Sequence, residues 1–154
     1  MKKLIAMALA GGLVAAPLAL AKGSFEDAER VLEAASDYGI TRFHSIELDD
    51  YGPRPFEVEG WLDDGWFVEL YMSTEGAIGP EKRRKHGAEA AGLTADEVRG
   101  YLQAARDQGM QQVEEINVNS HGEVEVEGKD PNGRDLEVDF RAGDFSPMKV
   151  DLDD

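Results

Sequence analysis

The chain has 154 residues, no cysteine, and 32 acidic against 16 basic residues, for a formal charge of −16. Nucleic acid and anionic membranes bind proteins through Lys and Arg, so this balance excludes both as classes of partner. Without cysteine there is no disulfide, and stability has to come from burial.

Lys2 and Lys3 precede an uncharged stretch over residues 4–20 that is rich in Ala, Leu and Gly. Gly11, Gly12 and Pro17 shorten its apolar run, and Ala19-Leu20-Ala21 forms an A-x-A cleavage site. The pattern predicts a signal peptide over 1–21, a mature chain from Lys22, a periplasmic or secreted location and no stable membrane insertion after cleavage.

The remainder repeats itself. Residues 25–49 align with 95–119 at a shift of 70, with Leu32, Ala35, Gly39 and Ile46 recurring as Leu102, Ala105, Gly109 and Ile116. After a two-residue insertion near Pro53 the shift becomes 68, and Glu57-Val58-Glu59-Gly60 lies over Glu125-Val126-Glu127-Gly128. Repetition on this scale marks duplicated structural units.

Each copy opens with a helix. Ala28, Val31, Leu32 and Ala35 fall at i, i+3, i+4 and i+7, as do Val98, Tyr101, Leu102 and Ala105, giving each helix one apolar face. Ser24 with Asp27 and Thr94 with Glu97 have the spacing of an N-cap and its third-position partner. Gly39 and Gly109 end the helices.

Strand alternation follows in both copies. The inward sets are Ile46 and Leu48, Phe56 and Val58, then Val68, Leu70 and Met72; in the second copy they are Ile116 and Val118, Val124 and Val126, then Leu136, Val138 and Phe140. Asp63-Asp64-Gly65 and Asn132-Gly133 are hairpin turns, with earlier turns at Tyr51-Gly52 and His121-Gly122.

The predicted fold is α+β: two tandem helix-plus-antiparallel-sheet modules, repeat 1 over 22–76 and repeat 2 over 94–154. A module of this size is marginal alone, so the two should share a core or a continuous sheet. Residues 77–93 between them hold the run Lys82-Arg83-Arg84-Lys85-His86. They read as a basic linker, with a short helix starting at Pro80 as one form of it. The closing Asp151-Leu152-Asp153-Asp154 reads as a solvated acidic tail.

Helix, Gly, extended segment and (F/V)-E-V-E-G-x-x-x-x-G-x-x-(V/L)-E-(L/V), carried by residues 56–72 and 124–140, resemble the PepSY family of extracytoplasmic modules. The resemblance covers nearly all of the mature chain. It implies an association with peptidases, as propeptide or inhibitor, and a tandem pair similar in fold to the β-lactamase inhibitor protein.

Catalysis needs a nucleophile, a base and an orienting group, or a metal with an activated water. His44, His86 and His121 are scattered, and HExxH, GxSxG, P-loop and GxGxxG motifs are missing from the sequence. The loop from Asp130 to Asp135 alternates oxygen ligands. It nevertheless lacks the Gly and Glu that an EF-hand requires at positions six and twelve. No catalytic residue, cofactor or metal site is expected.

Aligned positions differ most in their rings. Trp61, Phe67 and Tyr71 stand where the second copy has Lys129, Asp135 and Asp139. With Val68, Leu70 and Met72 inward, Phe67, Glu69 and Tyr71 point outward. Outward rings mean either burial against another element or a protein-binding patch. Trp61, Phe67, Glu69 and Tyr71 are therefore the candidate contact residues for an extracytoplasmic protein such as a peptidase. The alternative is an acidic, cation-responsive envelope protein linked to sensing.

Overall fold

The computed structural model describes residues 23–48, 52–85 and 92–153. The expected signal peptide, Tyr51 and His86 lie outside them.

Helix α1 (Phe25–Tyr38) and helix α2 (Ala95–Asp107) begin with matching capping boxes. Ser24 Oγ accepts the Asp27 N–H at 3.0 Å while the Asp27 carboxylate accepts the Ser24 N–H at 3.2 Å. Thr94 and Glu97 repeat this at 3.2 and 2.7 Å. Each box satisfies donors that the first turn leaves unpaired. Gly39, at φ 120°, takes a conformation open to glycine at little cost and ends α1.

Eight strands follow the helices: β1 (Ile40–Leu48), β2 (Phe56–Leu62), β3 (Trp66–Met72) and β4 (Ile78–Lys85) after α1, then β5 (Gln112–Val118), β6 (Val124–Lys129), β7 (Asp135–Phe140) and β8 (Pro147–Leu152) after α2. The expectation of two tandem helix-plus-sheet modules is corrected here. All eight strands form one antiparallel sheet in the order β4-β3-β2-β1-β5-β6-β7-β8. The class stays α+β, but the sheet is continuous because β1 and β5, each an open edge in an isolated half, pair with one another. Ile46 lies opposite Ile116, its own repeat equivalent, with Ser45 opposite Asn117 and Glu47 opposite Glu115. The seam is thus a local pseudo-two-fold axis.

The expected linker is likewise corrected. Its first half forms strand β4, paired with β3, and no helix starts at Pro80. The expected acidic tail contributes β8, paired with β7.

Both helices lie on one face of the sheet, where a single core spans the two halves. Leu32 and Leu102 occupy equivalent places in it, and the inward strand residues named above are buried. Burial of this apolar surface is the main stabilising term, at about 25 cal/mol per Å². Two further ties cross between the halves. The Arg99 guanidinium donates to both carboxylate oxygens of Glu29, at 2.6 to 3.1 Å, and the Val113 N–H donates to Gly23 O at 2.7 Å.

Each half carries the same irregularity. The β1–β2 register slips between Phe43 and Ser45, and the β5–β6 register between Val113 and Glu115. Gly60 and Gly128 sit opposite these bulges. A Cβ at Gly60 would come within 2.4 Å of Arg42 O, and one at Gly128 within 1.9 Å of Gln112 O. Only glycine fits such an approach, which explains the shared E-V-E-G motif.

Candidate functional site

The face of the sheet away from the helices carries the outward residues of every strand, and carboxylates dominate it. In the first half, Glu47, Glu57, Glu59 and Glu69 lie in cross-strand register. In the second, Glu115 faces Glu127, Glu127 faces Glu137, Glu125 faces Asp139, and Glu137 faces Asp151. Like charges set directly opposite are destabilising. The chain therefore maintains this arrangement against a steady repulsion.

Burial and this mutual repulsion shift several of the acids. Glu57 is pushed up to about 7, first by burial and then by Glu47, Glu69 and Glu59, with Lys82 acting against them. Glu127 also rises to about 7, through a shared hydrogen bond with Glu125, burial and the charges of Glu115, Glu125 and Glu137. Asp139 rises for the same kinds of reason. Glu69 moves the other way, because Lys82 and Tyr71 donate hydrogen bonds to it.

The four sequence-predicted contact residues fall on this face but divide into two pairs. Trp61 and Phe67 are buried, at 8% and 3% exposure. They form a ring cluster with His44, the centroids 4.8 to 5.9 Å apart. The Arg84 guanidinium lies 4.3 Å over Phe67, and Gly92 sits close enough that a Cβ there would be 3.2 Å from the Trp61 ring. These rings are a second, small core on the far side of the sheet, out of a partner's reach. Glu69 and Tyr71 are half-buried and tied to β4. Lys82 Nζ donates to Glu69 at 2.5 Å and to Tyr71 Oη at 3.0 Å, and Tyr71 Oη also donates to Glu69.

The second half uses the same positions differently. Glu114, Lys129 and Asp135 replace His44, Trp61 and Phe67, and Lys129 pairs with both acids, at 3.2 Å from Glu114. An acidic notch of about 160 Å³ remains there, lined by Glu114, Glu127, Asp135, Glu137, Asp151 and Asp153.

Among the described residues, two trios of carboxylates have oxygens within 4.8 Å of one another: Glu57, Glu59 and Glu69, and Glu125, Glu137 and Asp139. Sequence reasoning missed them, though E-V-E alternation on adjacent strands was the available signal. The Asp130 loop, weighed as a calcium ligand set, is occupied with its own turn. Its carboxylate accepts the N–H groups of Asn132 and Arg134 at 2.8 and 3.0 Å and the Arg134 guanidinium at 2.8 Å, which lowers it to about 2. His44 belongs to the ring cluster and His121 to the exposed β5–β6 turn.

No protein-family description matches the chain, and no curated protein matches it. Among solved structures, one described as a lipoprotein candidate from Clostridium difficile 630 aligns with a TM-score of 0.45 and 13% identity, covering 86% of this chain and 94% of that one. Among the described residues no helix is long and apolar enough to cross a membrane.

Proposed function

We propose that this protein is an exported, non-enzymatic binding module whose open sheet face receives a basic surface of an extracytoplasmic protein. One observation carries the reading. Both helices lie on the other face of the eight-stranded sheet, and outside the corner of Trp61 and Phe67 the open face holds, among the described residues, opposed rows of carboxylates. A cationic partner relieves the repulsion between them, so electrostatic complementarity supplies both encounter rate and orientation. The narrower reading, a peptidase bound or inhibited, rests on the resemblance to PepSY modules, and the exported location on the signal-peptide pattern.

The contact surface in this reading is the carboxylate field with Glu69 and Tyr71, while Trp61 and Phe67 form a buried corner beside it. The test is capture from the native envelope with two baits, the natural mature chain and a variant carrying Glu59→Gln, Glu69→Gln, Glu115→Gln and Glu137→Gln. The expected result is a protein identified on the first bait, released by high salt and lost on the second. Equal recovery on both baits would remove the electrostatic basis of the reading.

A second reading is favoured by the two carboxylate trios: the face takes up cations and responds to them. It predicts a higher melting temperature in millimolar calcium than in sodium chloride of equal ionic strength. Identical melting curves would discard it.

A further inference from the structure

The two edges of the sheet are built differently. Edge strand β4 carries Pro80 and the run from Lys82 to Lys85, devices that blunt an edge against pairing. Edge strand β8 has its proline, Pro147, only at the first position and carries one charge of each sign, Lys149 and Asp151. Among the described residues the large exposed apolar side chains are Ile78, Phe145, Met148, Val150 and Leu152, and all but Ile78 lie on β8 or in the turn leading into it. Met148, Val150 and Leu152 are each 44 to 45% exposed, beyond the cover of the helices.

The backbone of β8 is equally poised. The Asp153 N–H donates to Asp135 O at 3.0 Å, which makes that a hydrogen-bonded pair in the β7–β8 ladder. With Glu137 opposite Asp151 and Asp139 opposite Lys149, the antiparallel alternation turns the N–H and C=O groups of Lys149 and Asp151 toward β7. It turns those of Val150 and Leu152 out to solvent.

We propose that β8 pairs with β8 of a second copy of this chain, antiparallel about a two-fold axis at Val150, joining two sheets into one. The sequence Met148-Lys149-Val150-Asp151-Leu152 is complementary to itself about that point. Val150 meets the partner's Val150 through its outward N–H and C=O. Met148 meets the partner's Leu152 on the helix side. Lys149 meets the partner's Asp151 on the open side. Axes at Lys149 or Asp151 would set like charges directly opposite each other, and an axis between residues would mix the two faces and set outward backbone groups against groups already bonded to β7. Only the Val150 register satisfies charge, apolar side and hydrogen bonding together, as an isologous interface requires. The proposal is independent of the partner assigned to the open face.

Sedimentation equilibrium on the full mature chain tests it, with the expected species at twice the chain mass and dissociating on dilution. Val150→Pro removes the donor on the axis but no β7 hydrogen bond, so it should leave a folded monomer. Lys149→Asp and Asp151→Lys should each weaken the dimer by about tenfold or more, and the double exchange should recover it; because Lys149 also pairs with Glu137 and Asp139 of its own sheet, melting of each variant separates a loss of dimer from a loss of fold. A monomer at every concentration would overturn the proposal. So would a dimer indifferent to Val150→Pro, or open-ended polymers of β8 on the next copy's β4.

Discussion

Two corners of one sheet occupy equivalent positions and are built from opposite materials. In the first half His44, Trp61 and Phe67 make a dry cluster beneath Arg84 and Gly92. In the second, Glu114, Lys129 and Asp135 make an ion-pair cluster beside the acidic notch. The backbone register is the same, with Trp61 opposite Phe67 and Lys129 opposite Asp135. The duplicated fold therefore sets where side chains point, and what lies above the sheet decides whether a position is core or surface.

The largest expected effect comes from exchanging the two materials. Phe67→Asp would bury a carboxylate in the ring cluster and empty its space, costing about 3–5 kcal/mol in urea unfolding. The reciprocal Asp135→Phe replaces an exposed residue and should stay within about 0.5 kcal/mol. Equal costs in both directions would end the distinction between the corners.

A second effect separates the two raised carboxylates. Glu57 and Glu127 hold their protons more tightly in the folded chain, rising from an ordinary 4.5 to about 7. Unfolding therefore releases protons across that interval. The stabilisation is complete below pH of about 4.5 and is lost as pH rises through about 7. At low salt the melting temperature should be higher near pH 5 than near pH 8, and Glu57→Gln with Glu127→Gln should flatten the difference. Because a hydrogen bond with Glu125 leads the causes at Glu127 and burial leads at Glu57, Glu125→Gln should lower Glu127 and leave Glu57 unmoved. Carboxylate NMR titration resolves the two sites.

The smallest effect lies where the halves meet on the helix side. Arg99→Ala removes an exposed, two-pronged ion pair with Glu29, and should cost about 0.5 kcal/mol by thermal melting, less in high salt. A larger loss would mean that the helices, rather than β1 and β5, hold the halves together.

The interior of this fold was readable from the chain, and its margins were not. Capping boxes, helix ends and the inward residues of β1–β3 and β5–β7 follow from local chemistry and from alternation imposed by the helices. Strands β4 and β8 lie beyond that cover: β4 does not alternate, and β8 alternates only over residues 148–152, with its apolar residues left exposed. IGPEKRRK read as a linker and the last residues as a tail. Burial of the outward rings was one of two outcomes the sequence allowed, but what buries Trp61 and Phe67 was hidden, since Arg84 and Gly92 are distant in sequence from the rings they cover. The carboxylate face was written in E-V-E-G, but its opposed rows exist only once β2 lies beside β3 and β6 beside β7.

The seam has a kinetic consequence. Because β1 pairs with β5, the first strand of each half is also the last to be enclosed, and the contact between them closes the longest loop in the sheet. A chain emerging N-terminus first can assemble β1 to β4 while the edge beside Ile46 still waits for a partner made much later. Until β5 arrives, that edge is open to any other extended segment, including β5 of a neighbouring chain. Crowded synthesis thus favours an exchange of halves between molecules, and slow, dilute refolding favours closure within one.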